Sequence, residues 1–158
     1  MTTPPGAQTV RFPSAGTECD AWFFAGSSGS PFEIDGRRPP VVVMAHGFAG
    51  TKDSGLAPFA QRFSEAGLAV FAFDYRGFGL SDGQPRQQIS LERQADDYRA
   101  AIVAAKKQAG VDPNKVILWG CFAIGRSCAD GRERSSRHRR GDLGDSARQR
   151  SGRRSRGL

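Results

Sequence analysis

Apolar residues along this chain fall into blocks of three kinds. Two short β-rich runs, Thr9 to Pro13 and Cys19 to Ala25, flank a Ser-Ala-Gly-Thr turn signal, which predicts an N-terminal hairpin. Residues 27–40 then read as a loop from their Gly, Ser, Pro and Asp content. Three runs, VVVMA from Val41, LAVFAFDY from Leu68 and KVILW from Lys115, are apolar without alternation, the pattern of strands covered on both faces in a parallel sheet. Between the first two, Leu56, Phe59, Ala60 and Phe63 share one helical stripe, and Gly67 supplies the stop. From about Ser90 to Ala109, Leu91, Ala95, Tyr98, Ile102 and Ala105 share another, and Arg93, Asp97 and Lys107 are expected to point away from it. Ser90 suits the first turn as a cap, Glu92 its positive end, and Lys106 and Lys107 its negative end before Gly110. Strand, helix, strand, helix, strand in succession predicts a three-layer α/β sandwich with a mostly parallel sheet and right-handed crossovers.

Charge changes the picture at Gly120. Residues 1–120 hold 12 Lys and Arg against 12 Asp and Glu, whereas residues 121–158 hold 11 Arg against 4 acidic residues, so the net charge of +7 belongs to the tail. Phe122, Ile124, Leu143 and Leu158 are the tail's large apolar residues, too few to offset the entropy of ordering it. We therefore divide the chain into a domain over 1–120 and a basic tail over 121–158 that is expected to be disordered.

Cys19, Cys121 and Cys128 form no paired framework, which favours reduced thiols and a cytoplasmic location. The N-terminal residues lack the basic and apolar regions of a signal peptide, and no run approaches the roughly 18 apolar residues of a membrane span. No membrane partner is expected.

Candidate chemistry lies where the apolar runs end. The first run leads into His46-Gly47-Phe48 and the second into DYRGFGLSDG, with Asp74, Arg76, Gly77, Gly79 and Ser81. Together these motifs, in their order and spacing, make residues 40–120 resemble the N-terminal half of an α/β-hydrolase, of the subgroup similar to dienelactone hydrolases, serine aminopeptidases and Xaa-Pro peptidase-like acyl hydrolases. The resemblance implies hydrolysis of a small-molecule ester, amide or lactone through an acyl-enzyme, with no cofactor and no metal. It implies that the loop at His46, Gly47 and Phe48 contributes to an oxyanion hole through the Phe48 amide, with Gly47 letting the backbone approach closely. His46 reads as a structural residue beneath that turn, because the family's catalytic histidine lies far downstream. Asp74 and Arg76 are implied to pin the second loop by hydrogen bonds, which makes Asp74 a poor catalytic acid.

After KVILW the family carries G-x-S-x-G, a tight turn that lifts the serine above the sheet. The five positions here are Gly120, Cys121, Phe122, Ala123 and Ile124, so Phe122 stands where the nucleophile belongs. Cys121 is the alternative nucleophile, since thiolates attack carbonyls well, but it sits one residue early on a sharp turn. The implied downstream acid and histidine have no matching segment before the chain ends.

The genetic code offers a reason. Codons for Ile124 to Arg132 exist that, read one base later, encode Ser-Gly-Gly-His-Ala-Leu-Thr-Val, the end of a family-like elbow and its helix. Codons for Arg137 to Asp142 similarly yield Ala-Ile-Ala-Ala-Val, an apolar run fit for a strand. A tail with arginine and no lysine is also what GC-rich DNA gives out of frame. We therefore expect a frameshift at Cys121 to Ala123 and a catalytically incompetent chain. The competing reading makes the Arg-rich tail an arm that binds nucleic acid through phosphate contacts. It lacks interleaved aromatic residues, and residues 1–120 carry no nucleic-acid motif.

Overall fold

A computed structural model describes residues 2–29, 31–32 and 36–120. The expected tail disorder, and the positions of Cys121, Phe122 and Cys128, lie outside the described residues.

The hairpin is formed by β1 (Ala7–Ser14) and β2 (Thr17–Phe24), longer by a few residues than the β-rich runs alone suggest. Ser14 pairs with Thr17, and the two residues between them, Ala15 and Gly16, have φ of 46° and 77°. Positive φ at both centres is the geometry that matches the right-handed twist of flanking strands. The apolar runs become β3 (Val41–Ala45), β4 (Ala69–Phe73) and β5 (Val116–Gly120), and the two helical stripes become α1 (Leu56–Glu65) and α2 (Leu91–Lys106).

These strands form one five-stranded sheet in the order β1-β2-β4-β3-β5. The β3–β4 and β3–β5 pairs are parallel, and β1–β2 and β2–β4 are antiparallel. Alternate residues of the central strands feed two cores. Val41, Val43, Phe71 and Phe73 pack toward α2 with Tyr98, Ala101 and Ala105, whereas Val42, Met44, Val70 and Ala72 pack toward α1 with Leu56 and Ala60. Every residue of β3 and β4 is buried, as continuous apolar runs in a parallel sheet require. The result is helix, sheet and helix in three layers.

Four expectations need correction. Asp97 does not point away from the core: it is fully buried, because Ser14 and Arg76 reach in to partner it. The buried face of α2 is thereby turned to include Gln94 and Asp97, which leaves Leu91 61% exposed at the first turn. Finally, β5 is not covered on both faces. Among the described residues it is an edge strand beside β3, and its residues are half-buried or exposed. On α1, Phe59 likewise lies at the margin of its stripe, 53% exposed against Trp119.

Candidate functional site

Parallel register brings three strand ends to one level. Ala45 pairs with Phe73 on one side and with Gly120 on the other. The chain therefore leaves β3 at His46, leaves β4 at Asp74 and reaches the end of β5 at Gly120, all on the same edge of the sheet. In parallel α/β sheets this carboxyl edge is where ligands bind. Tyr98 of α2 braces it from below, its hydroxyl lying 2.9 Å from the Val43 carbonyl and 2.7 Å from the Trp119 carbonyl.

Past β3 the backbone makes a tight turn in which the Gly50 N–H donates to the Gly47 carbonyl at 3.2 Å, with Ala49 at φ 56°. The Phe48 side chain projects outward, 82% exposed. Its backbone N–H has no protein acceptor among the described residues. A cavity of about 300 Å³ opens beside this turn, bordered by Phe48, Thr51, Phe59 and Trp119.

His46 lies beneath the turn, in edge and tilted contact with Tyr75 and Phe78 at centroid distances of 4.8 Å and 5.4 Å. Its Nδ1 is 2.9 Å from the Gly47 carbonyl, and its Nε2 is 3.9 Å from Asp74 Oδ1 without a hydrogen bond among the described residues. Burial lowers its pKa below the ordinary 6.5, a shift that the Gly47 carbonyl and the Asp74 charge oppose.

Asp74 is fully buried and tied to both loops. Its carboxylate accepts from the Lys52 N–H at 2.7 Å, from Lys52 Nζ at 2.6 Å and from the Leu80 N–H at 3.1 Å. Gly79 has φ 48°, and a Cβ there would come within 2.1 Å of Asp74 Oδ2, so only glycine fits. Ser81 donates to the Asp74 carbonyl at 2.7 Å and accepts from the Asp20 N–H at 2.8 Å. Gly77 donates its N–H to the Asp82 carbonyl at 2.7 Å. Arg76 Nε lies 2.7 Å from Asp97 Oδ1, and Arg76 Nη2 donates to the Arg93 carbonyl, which joins this loop to α2. Arg86 closes the loop by donating to the Ser81 and Gly79 carbonyls.

His46, Gly47, Phe48, Asp74, Gly79 and Ser81 thus gather around one edge of the sheet, with Arg76 and Gly77 one shell outward. Cys121 and Phe122 lie outside the described residues. Two residues of this cluster escape a motif-based reading. Lys52, 1% exposed, lies between Asp74 and Asp20, and its Nζ is 2.6 Å from Asp20 Oδ1. The available signal was Asp20 itself, a lone carboxylate inside the buried run Cys19–Phe24, which demands a cation nearby. Cys19, next to it, is no nucleophile, its thiol pushed up to about 12 chiefly by burial.

No helix of the described residues is long and apolar enough to cross a membrane. Relatives match this chain over part of their length. The quorum-quenching protein AidA of Acinetobacter baumannii is 39% identical over 117 residues, 74% of this chain and 36% of that protein. The thiohydrolase aneE of Aspergillus aculeatus is 40% identical over 100 residues, 60% of this chain and 31% of that protein. The crystal structure of the α/β-hydrolase GrgF from Penicillium superposes with a TM-score of 0.65 at 32% identity, covering 74% of this chain and 38% of that one. The chain therefore spans about a third of the length of the relatives it matches. Residues 37–125 match the family described as serine aminopeptidase, S33, and with the strand order, the level strand ends and the loops that follow them, the chain belongs to that family of α/β-hydrolases.

Proposed function

We propose that residues 1–120 are the oxyanion-loop half of a serine acyl hydrolase acting on a small ester, amide or lactone, and that this 158-residue chain is catalytically incompetent. The observation that carries the reading is the register of Ala45 with Gly120. It sets Gly120, from which the family's elbow continues in sequence, level with the strand end that leads into the turn bearing the Phe48 amide, an N–H with no acceptor among the described residues. In the complete enzyme, a serine hydroxyl on that elbow attacks the carbonyl and gives its proton to a histidine. The Phe48 amide stabilises the oxyanion, and water then releases the acyl group.

The sequence positions that correspond to the family's elbow hold Gly120-Cys121-Phe122-Ala123-Ile124, and a phenylalanine can neither attack nor donate a proton. The shifted-frame readings of residues 124–132 and 137–142 support a one- or two-base slip between Gly120 and Ile124, making 121–158 an out-of-frame tail. AidA and aneE carry names for quorum quenching and thiohydrolysis, which suits acyl chemistry at this site without choosing its substrate.

The coding DNA tests the proposal directly. Correcting the slip is expected to open a frame with an elbow serine and a later acid and histidine, and the corrected product is expected to hydrolyse p-nitrophenyl acetate. The chain as it stands should show background rates only. Activity in the present chain that is lost on Cys121→Ala would instead establish a cysteine nucleophile and overturn the proposal.

A further inference from the structure

Lys52 is the one cation among the described residues whose side chain is buried between two carboxylates. Its ammonium lies 2.6 Å from Asp20 Oδ1 and 2.6 Å from Asp74 Oδ2, and 5.0 Å from the centre of the Trp22 ring. Burying such a group costs several kcal/mol of desolvation per ion before attraction returns any of it, and apolar replacements of such clusters are often no less stable. Stability alone is therefore a weak reason for this arrangement.

Geometry supplies a better one. The backbones of Asp20 and Asp74 are fixed without Lys52, because the Asp74 N–H donates to the Asp20 carbonyl at 2.9 Å and Ser81 bonds the main chain of both residues, and the Leu80 N–H holds the Asp74 carboxylate. They present their carboxylates from fixed backbone positions on β2 and at the end of β4. Lys52 is the guest in the seat they make, and it arrives on the loop after β3. Both its side chain and its backbone N–H are held by the same Asp74 carboxylate. Four residues earlier on this loop is Phe48, within the turn closed by the Gly50 to Gly47 hydrogen bond. Between turn and seat no other buried side chain anchors the loop, since Phe48, Ala49, Gly50 and Thr51 are exposed or half-buried.

We infer that Lys52 is a positioning residue for the reaction: seated between Asp20 and Asp74, its ammonium sets the height and direction of the turn that presents the Phe48 amide. This rests on the reading of that amide as an oxyanion donor. Sub-ångström placement of such a donor decides its worth, since it must meet the oxyanion and not the ground-state carbonyl.

Lys52→Met alone leaves the Asp74 carboxylate without its ammonium and Asp20 with only Arg11 at 3.7 Å, and can unfold the protein, so the test uses Lys52→Met with Asp20→Asn, which conserves the cluster's net charge. In the full chain, amide hydrogen exchange is measured across Gly47–Thr51 and across β3 and β4. The expected result is exchange faster by about ten-fold or more in the turn, with the strands unchanged. Unchanged protection in the turn, or equal loss in turn and strands, would overturn the positioning role. The same pair of substitutions in the frame-corrected enzyme is expected to lower kcat by about 100-fold at constant KM. A loosened turn with unaltered kcat would leave Lys52 as the anchor of the loop and remove Phe48 from catalysis, which overturns the reading on which the catalytic role depends.

Discussion

Arg76 and Asp97 meet across the interface between the loop after β4 and helix α2, with Nε 2.7 Å from Oδ1 and the Arg76 backbone N–H donating to Oδ2 at 3.0 Å. Ser14 completes the set from β1, its hydroxyl donating to Oδ1 at 2.5 Å. Three elements far apart in sequence therefore converge on one buried carboxylate. Asp97→Ala would leave a nearly buried guanidinium with only the half-exposed Asp96 at 3.9 Å as a charge partner, and a backbone N–H and hydroxyl without their acceptor. We expect a loss of about 3 to 5 kcal/mol in urea unfolding, with Asp97→Asn losing less because an amide oxygen still accepts. Burial raises the Asp97 pKa above 3.8, against the opposing pull of Ser14 and Arg76. Its contribution to stability therefore falls as pH rises from 3.8 through the raised folded value, and Asp97→Asn should remove that slope. A substitution that left the unfolding midpoint unchanged would show that these bonds add nothing net.

The turn of the N-terminal hairpin can be improved. Ala15 sits at φ 46°, where an L side chain with a Cβ is strained by roughly 1 kcal/mol, and it occupies the first centre of a two-residue turn that asparagine or glycine prefers. No tertiary contact competes there, since Ala15 is exposed. Ala15→Asn is expected to raise stability by about 0.5 to 1 kcal/mol, visible as a higher urea midpoint with an unchanged slope. A lower midpoint would mean that Ala15 makes a contact the asparagine disrupts.

Much of this architecture is legible in the chain because its central strands carry a signal that no other element imitates. Val41–Ala45 and Ala69–Phe73 are uninterrupted apolar runs too short for helices, and their ends coincide with the loops that form the site. The face of α2 is less legible. Periodicity treats Asp97 as solvated, but its partners come from β1 and from the loop after β4, and a residue's own spacing cannot report a partner 83 residues away. Lys52 is hidden for the same reason. Nothing around it in sequence distinguishes it from a solvated loop lysine, and only Asp20, the one carboxylate in the buried run Cys19–Phe24, announces that a cation must arrive from elsewhere.

The edge of β5 makes a further expectation. Ile117 is 44% exposed on a strand that, among the described residues, pairs on one side only, with β3. An apolar edge strand is a template for pairing with another chain, and a lysine on such an edge blocks that pairing through charge. Ile117→Lys is expected to raise the fraction of monomer in size-exclusion chromatography and the soluble yield. The cost to the fold should stay within about 1 kcal/mol because the side chain is already half in solvent. An unchanged soluble fraction would acquit this edge of aggregation.

His46 should make stability depend on pH near neutrality. Its ring is buried against Tyr75 and Phe78, and that burial holds its pKa below 6.5, with Lys52 adding to the same direction and the Gly47 carbonyl, Asp74 and Asp53 opposing it. The folded chain thus resists a proton that the unfolded chain accepts below pH 6.5. Between the depressed folded value and 6.5, the unfolded state binds more protons, so stability rises with pH across that window and levels off above it. The slope cannot exceed about 1.4 kcal/mol per pH unit for one group. His46→Phe keeps an aromatic ring against Tyr75 and Phe78 and removes the titration, at the loss of the contact with the Gly47 carbonyl. The difference between parent and variant in urea unfolding at pH 5.5 and pH 7.5 isolates His46 from the carboxylates, which both proteins share. We expect the parent to gain stability relative to the variant on going to pH 7.5. A difference that is the same at both values would mean that His46 changes protonation as readily inside the fold as outside it, so its burial between the two strand-end loops would have no electrostatic consequence.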